Sequence, residues 1–130
     1  MKIHHLGIVA KKKDIKKFQF KFKKIFSYKD KFQNNRLFIG YCNQRKIWIE
    51  FVVPLNRKST VHNFFRKKGV SIHHFGFYTK NLERIKNRLL KKKGYIFVGS
   101  FKVDITCFGG KLNTMFFYKN GYFIEFLSKR

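Results

Sequence analysis

Acidic residues are scarce in this 130-residue chain: six Asp and Glu stand against 31 Lys and Arg, a formal charge of +25. Cysteine occurs twice, while Pro54 is the only proline and Ala10 the only alanine. Each shortage excludes something. Cys42 and Cys107 lie far apart and outside any metal-knuckle spacing, which excludes a disulfide framework and leaves two reduced thiols as the expectation. No apolar run approaches the roughly 20 residues that span a bilayer. Met1-Lys2 leads into a short strand-like run rather than an apolar helix with a cleavage site, so no membrane partner and a cytoplasmic location are expected.

What the chain does have argues for one folded domain. A hydrophobic fraction of 44% is far too high for disorder, and 130 residues can bury a core without covalent staples. The charge has two readings. One is an anionic partner, whether nucleic acid, a membrane surface or a phosphorylated substrate. The other is codon composition: Lys, Phe, Ile, Asn and Tyr are abundant, and Ala and Pro nearly absent, as A+T-rich codons dictate. Lys far outnumbers Arg, although bidentate phosphate and base recognition favours Arg. The lysines are scattered and no nucleic-acid motif appears, so no specific nucleic-acid partner is expected.

The organising feature is an internal repeat. Ile3-His4-His5-Leu6-Gly7-Ile8 returns as Ile72-His73-His74-Phe75-Gly76-Phe77, and Ile49-Glu50-Phe51 returns as Ile124-Glu125-Phe126. Two copies point to a pseudo-twofold pair of modules, not a solenoid. The first copy reads as a strand over 2–9, a helix over about 14–25 with Asp14 at its N-terminus, then strands over 37–42 and 47–53. Phe18, Phe20 and Phe22 also alternate as a strand would, but the apolar stripe of Ile15, Phe18, Phe22 and Ile25, with lysines filling the opposite face, predicts the helix. Ser59 caps a short linking helix that Gly69 ends. The second copy reads as a strand over 70–78, a helix capped by Asn81, a strand over 95–101, and a hairpin of 112–118 and 122–127. The expectation is an α+β fold of two βαβββ modules, about 1–56 and 70–130, joined by a helix over about 57–69. His5 to His74 is 69 positions and Glu50 to Glu125 is 75, so the second module carries six extra residues, expected around Thr106–Lys111.

Alternation along strands sorts these side chains onto faces. His5 lies with Gly7 and Val9, His74 with Gly76 and Tyr78, Glu50 with Trp48 and Val52, Glu125 with Phe123 and Leu127. The opposite faces carry the aliphatic sets that pack on helices, so His and Glu should point together into the concave side of a curved sheet. A Glu buried in an apolar strand is costly unless paired, protonated or metal-bound. The candidate ligands of one divalent ion are therefore His5, Glu50, His74 and Glu125, a set that suits Zn, Ni, Co, Mn or Fe. His4 and His73 read as structural neighbours and His62 as an exposed helix residue.

These phrases, with Glu50-Phe51-Val52-Val53-Pro54-Leu55 and Gly121-Tyr122-Phe123-Ile124-Glu125-Phe126, resemble the vicinal oxygen chelate superfamily of glyoxalase I, methylmalonyl-CoA epimerase and extradiol dioxygenases, over essentially the whole chain. The first His-His-Leu-Gly-Ile and the Glu-x-x-x-Pro-Leu phrase are most similar to the epimerase branch. The resemblance implies a glyoxalase-like fold, with two modules forming a cup-shaped mixed sheet around one divalent ion. It also implies His5, Glu50, His74 and Glu125 as ligands, Glu125 as a catalytic base, and a homodimer as a common state of relatives. The implied activity is that of a metal-dependent isomerase, epimerase or lyase, which takes a proton from a carbon beside a metal-polarised carbonyl of a small, anionic substrate. The epimerase branch has a second base, a Glu shortly before the third strand of the first module. Here that region is Phe32-Gln33-Asn34-Asn35-Arg36, with Asn34 the nearest match and Asp30 the nearest acid. A glyoxalase I-type lyase, a sugar-modifying member from a polysaccharide gene cluster, and a metal-free small-molecule binding module are the alternatives.

Overall fold

A computed structural model describes all 130 residues. In chain order the elements are β1 (Ile3–Val9), α1 (Lys12–Ile15), β2 (Phe22–Asp30), β3 (Asn35–Cys42), β4 (Ile47–Pro54), α2 (His62–Lys68), β5 (Ser71–Tyr78), α3 (Leu82–Leu90), β6 (Ile96–Ile105), a 3-10 turn (Thr106–Phe108), β7 (Gly110–Lys119) and β8 (Tyr122–Lys129). This is the βαβββ order twice, with α2 between. The chain forms two compact units, His5–His73 and His74–Arg130, the latter including Met1–His4. No helix is long and apolar enough to cross a membrane.

In the N-terminal unit the strands run β2-β3-β4-β1, with β1 parallel to β4 and the other neighbours antiparallel. Ile8, Ala10, Cys42, Ile49 and Phe51 form the buried core on the outer face, and Leu6, Ile15, Phe18, Phe20 and Phe22 pack against it. The C-terminal unit repeats the wiring as β5-β8-β7-β6, with β5 parallel to β8. Its core is Ile85 and Leu89 of α3 over Met115, Phe117 and Phe126. Asn81 caps α3 as expected, its side chain accepting from the Arg84 amide at 3.0 Å. The Lys119–Tyr122 hairpin turns through Asn120 (φ 51°) and Gly121 (φ 87°), the left-handed pair that a two-residue connection requires.

The expected helix over 14–25 is corrected. Only Lys12–Ile15 is helical, and β2 begins at Phe22. Lysines crowd this segment, and its one acid, Asp14, is spent on the first turn, where its carboxylate accepts from the Lys11 amide at 3.0 Å. That hydrogen bond holds the Asp14 carboxyl below its ordinary value. Like charges with no partner disfavour a longer helix. Phe18, Phe20 and Phe22 instead serve one core at spacing two, with Phe18 and Phe20 stacked at 5.9 Å and Phe20 and Phe22 at 6.0 Å. Phe22 lies over Gly40 of β3, where an added Cβ would come within 2.5 Å of its ring. The six extra residues are relocated as well: seventeen residues separate β5 from β6 where twelve separate β1 from β2, so most of them build the longer α3 connection.

The registers make the two units comparable residue by residue. Leu37 opposes Val52 in one unit where Thr114 opposes Leu127 in the other. Leu37 is an apolar core residue, whereas Thr114 is 2% exposed and its hydroxyl has no hydrogen-bond partner. Burying that hydroxyl costs stability that an isosteric methyl would not. Thr114→Val is therefore expected to raise stability by about 1–2 kcal/mol, read as a higher midpoint in urea with an unchanged slope.

Candidate metal-ligand pairs

Each unit carries one buried His–Glu pair, built the same way. On β1 and β4, His5 opposes Trp48 and Gly7 opposes Glu50. On β5 and β8, His74 opposes Phe123 and Gly76 opposes Glu125. Parallel pairing puts His two positions before a glycine, and that glycine puts no side chain beside the carboxylate. His5 Nε2 then lies 3.4 Å from a Glu50 oxygen, and His74 Nε2 lies 3.6 Å from a Glu125 oxygen. All four are buried: His5 0%, His74 3%, Glu50 7% and Glu125 8% exposed.

In each pair the donor chemistry, an imidazole nitrogen beside a carboxylate oxygen, suits a first-row divalent ion. Two ligand atoms about 2.1 Å from one tetrahedral ion lie about 3.4 Å apart, and the pair separations of 3.4 and 3.6 Å match that edge. They exceed the about 2.7–2.9 Å of a charge-assisted hydrogen bond. The structure therefore joins His5 with Glu50 and His74 with Glu125 as the strand parity anticipated.

The neighbouring histidines sit elsewhere. His4 packs edge-on against Phe108 at 4.7 Å, and His73 against Phe64 of α2 at 4.8 Å. His62 opens α2 half-buried rather than fully exposed.

The region expected to hold a second base holds amides and hydroxyls. Asn35 is 2% exposed and accepts from the Ser59 hydroxyl, while its amide donates to Thr60 Oγ1 at 3.3 Å. The Thr60 hydroxyl donates to Gln33 Oε1 at 3.2 Å. Asp30 does not reach beyond its own turn: its oxygens accept from the Gln33 amide at 3.1 Å and the Gln33 side chain at 3.0 Å. Asn34 takes φ 57° in that turn. These contacts clamp the β2–β3 turn to the segment before α2.

Sequence reasoning overlooked a row of aromatics on the ligand-bearing faces. Tyr41 opposes Trp48 with rings 5.2 Å apart, and Tyr118 opposes Phe123 with rings 5.1 Å apart. The rows read His5, Trp48, Tyr41 and His74, Phe123, Tyr118 across adjacent strands. The signal was hidden because four residues turn the first hairpin and two turn the second, which shifts the spacing of the tyrosines.

Residues 4–106 match the Glyoxalase/Bleomycin resistance protein/Dioxygenase superfamily, and the chain belongs to that superfamily. Solved structures narrow the likeness. Methylmalonyl-CoA epimerase from Mycobacterium tuberculosis is similar at TM-score 0.78 and 18% identity, over 98% of this chain and 87% of that one. A Streptomyces coelicolor methylmalonyl-CoA epimerase variant in complex with 2-nitronate-propionyl-CoA is similar at TM-score 0.76 and 15% identity, over 99% and 97%. A hypothetical protein from Bacillus halodurans reaches TM-score 0.74 and 22% identity, over 99% and 94%. No curated protein matches by sequence. The fold is thus the glyoxalase-like one, two βαβββ modules with a mixed sheet.

Removing Asn35 would leave the buried Ser59 O–H without its acceptor, although Ser59 Oγ still accepts from the Val61 amide at 3.1 Å. Asn35→Ala is expected to cost about 1–3 kcal/mol, measured by denaturant unfolding.

Proposed function

We propose that this protein is a metal-dependent isomerase or lyase that removes a proton from a carbon next to a carbonyl of a small anionic substrate. The observation that carries the reading is the repeated buried pair, His5 with Glu50 and His74 with Glu125. In this reading His5, Glu50, His74 and Glu125 hold one divalent ion. When bound, the ion would supply Lewis-acid polarisation of a substrate oxygen. Glu125 takes the proton. Gly76 beside it adds no bulk on its strand, which leaves room next to the carboxylate.

The other acids point toward one-base chemistry. Asp14 caps α1, Asp30 closes its turn, and Glu83 and Asp104 are exposed on α3 and β6. Inverting one carbon needs acid and base groups on both faces, whereas a proton shift or elimination can use one carboxylate. The likeness to epimerases, one of them seen with 2-nitronate-propionyl-CoA, supports an anionic acyl substrate such as a CoA thioester.

Protein purified without chelator or polyhistidine tag is expected to carry about one equivalent of metal and to melt higher on addition of Ni, Co, Zn or Mn. A solvent-deuterium exchange screen of methylmalonyl-CoA, hemithioacetals and nucleotide sugars should find a substrate. Glu125→Gln should slow its exchange by about 10²- to 10⁴-fold. A protein with no stoichiometric metal and no melting shift would instead favour a metal-free binding module.

A further inference from the structure

The N-terminal unit carries a three-ring cluster on the face that bears its ligand pair. Trp48 directly opposes His5 on one side and Tyr41 on the other. Its ring lies 5.2 Å from Tyr41 and 6.4 Å from Phe26, and all three rings are only half-buried. Rings that serve only as core are covered, as Phe51 is at 1% exposed. The Lys24 ammonium sits over Phe26 at 4.9 Å, placing a positive charge at the end of the cluster. The equivalent row differs where it matters. In place of Ile39 the C-terminal unit has Phe116, set edge-on to His74 at 5.7 Å, and in place of Phe26 it has Gly99. One unit therefore sets Trp48, Tyr41 and Phe26 in a row beside its histidine, whereas the other sets Phe116 edge-on to its histidine and Phe101 against Phe116 at 5.9 Å.

We infer that the substrate is an anion carrying an aromatic or heteroaromatic ring, which packs against Trp48 and Tyr41 while its oxygen-bearing end lies toward His5 and Glu50. This rests on the proposed metal-dependent reading for the placement of the reacting end. The wall supplies offset or edge contacts for a flat ring, which an aliphatic acyl group cannot make. Lys24 offers the counter-charge for an anionic substituent. An aryl hydroxy acid qualifies, because its phenyl ring and its oxygens are only a few bonds apart and Trp48 directly opposes His5.

Trp48 is the only tryptophan, so its emission reports on this wall alone. Full-length protein, nickel-loaded and metal-free, would be titrated with phenyllactate and with lactate under 295 nm excitation. The loaded protein is expected to bind phenyllactate about tenfold more tightly than lactate. Tyr41→Leu, which keeps the apolar bulk, should erase most of that preference, while Tyr118→Leu leaves it and both variants hold nickel as the parent does. Equal affinities, no measurable phenyllactate binding in either form, or a preference that survives Tyr41→Leu would overturn the inference. A ring preference in protein that takes up no nickel would keep the wall and sink the metal-dependent reading instead.

Discussion

The structure depends on the cost of burying a carboxylate inside a β-strand. Glu50 and Glu125 sit in strands whose neighbours are Ile, Phe and Val, at 7% and 8% exposure. An ionised side chain there is tolerated only if something else solvates it. In each unit a histidine on the adjacent parallel strand does so in part, at 3.4 and 3.6 Å. That contact fixes the register. A slip of one residue would turn His5 or Glu50 onto the face that holds Ile8, Ile49 and Phe51, and expose those three in exchange. The polar pair and the apolar core thus specify the same alignment, which is the mutual consistency that makes a fold unique.

Duplication explains why the pairs match, and divergence explains why the surfaces around them do not. The positions beside each Glu hold Ile39 and Phe26 in one unit, Phe116 and Gly99 in the other. Likewise Leu37 is matched by Thr114, whose hydroxyl lacks a partner. Backbone wiring tolerates such changes because alternation leaves each side chain's face unaltered. A repeated scaffold can therefore keep its His–Glu pairs while the side chains beside them differ.

The two His–Glu pairings were legible in the sequence because strand alternation has a rigid period of two. His-x-Gly and the strand Glu needed no knowledge of the helices or turns. The first helix was misread because its stripe counted Phe18 and Phe22 but gave Phe20 no place, and Phe20 packs on the same core as both. Helical spacing describes a segment only if the residues between the stripe are content in solvent. The aromatic rows were illegible for another reason. They are cross-strand relations, and hairpins of different turn length move equivalent tyrosines to different distances from their Glu. The extra residues of the second module were misplaced because the repeat phrases fix only a total, and the longer α3 connection absorbs most of it.

The charge acquires a structural part that composition alone concealed. Lys12 lies over Phe38, Lys86 over Phe97 at 4.4 Å and Lys119 over Tyr95 at 4.2 Å. In a chain with 18 Phe, lysine stems cover rings that would otherwise meet water, and the ammonium groups stay hydrated. Part of the +25 thus covers ring faces that would otherwise meet water. The remainder sets a long-range field that gathers anions. An anion drawn in by that field would still be repelled at close range by Glu50 and Glu125. In the proposed reading, a divalent ion held by these carboxylates would offset their negative charge. The same ion that would solvate two buried carboxylates is therefore what would let an anionic substrate approach the base.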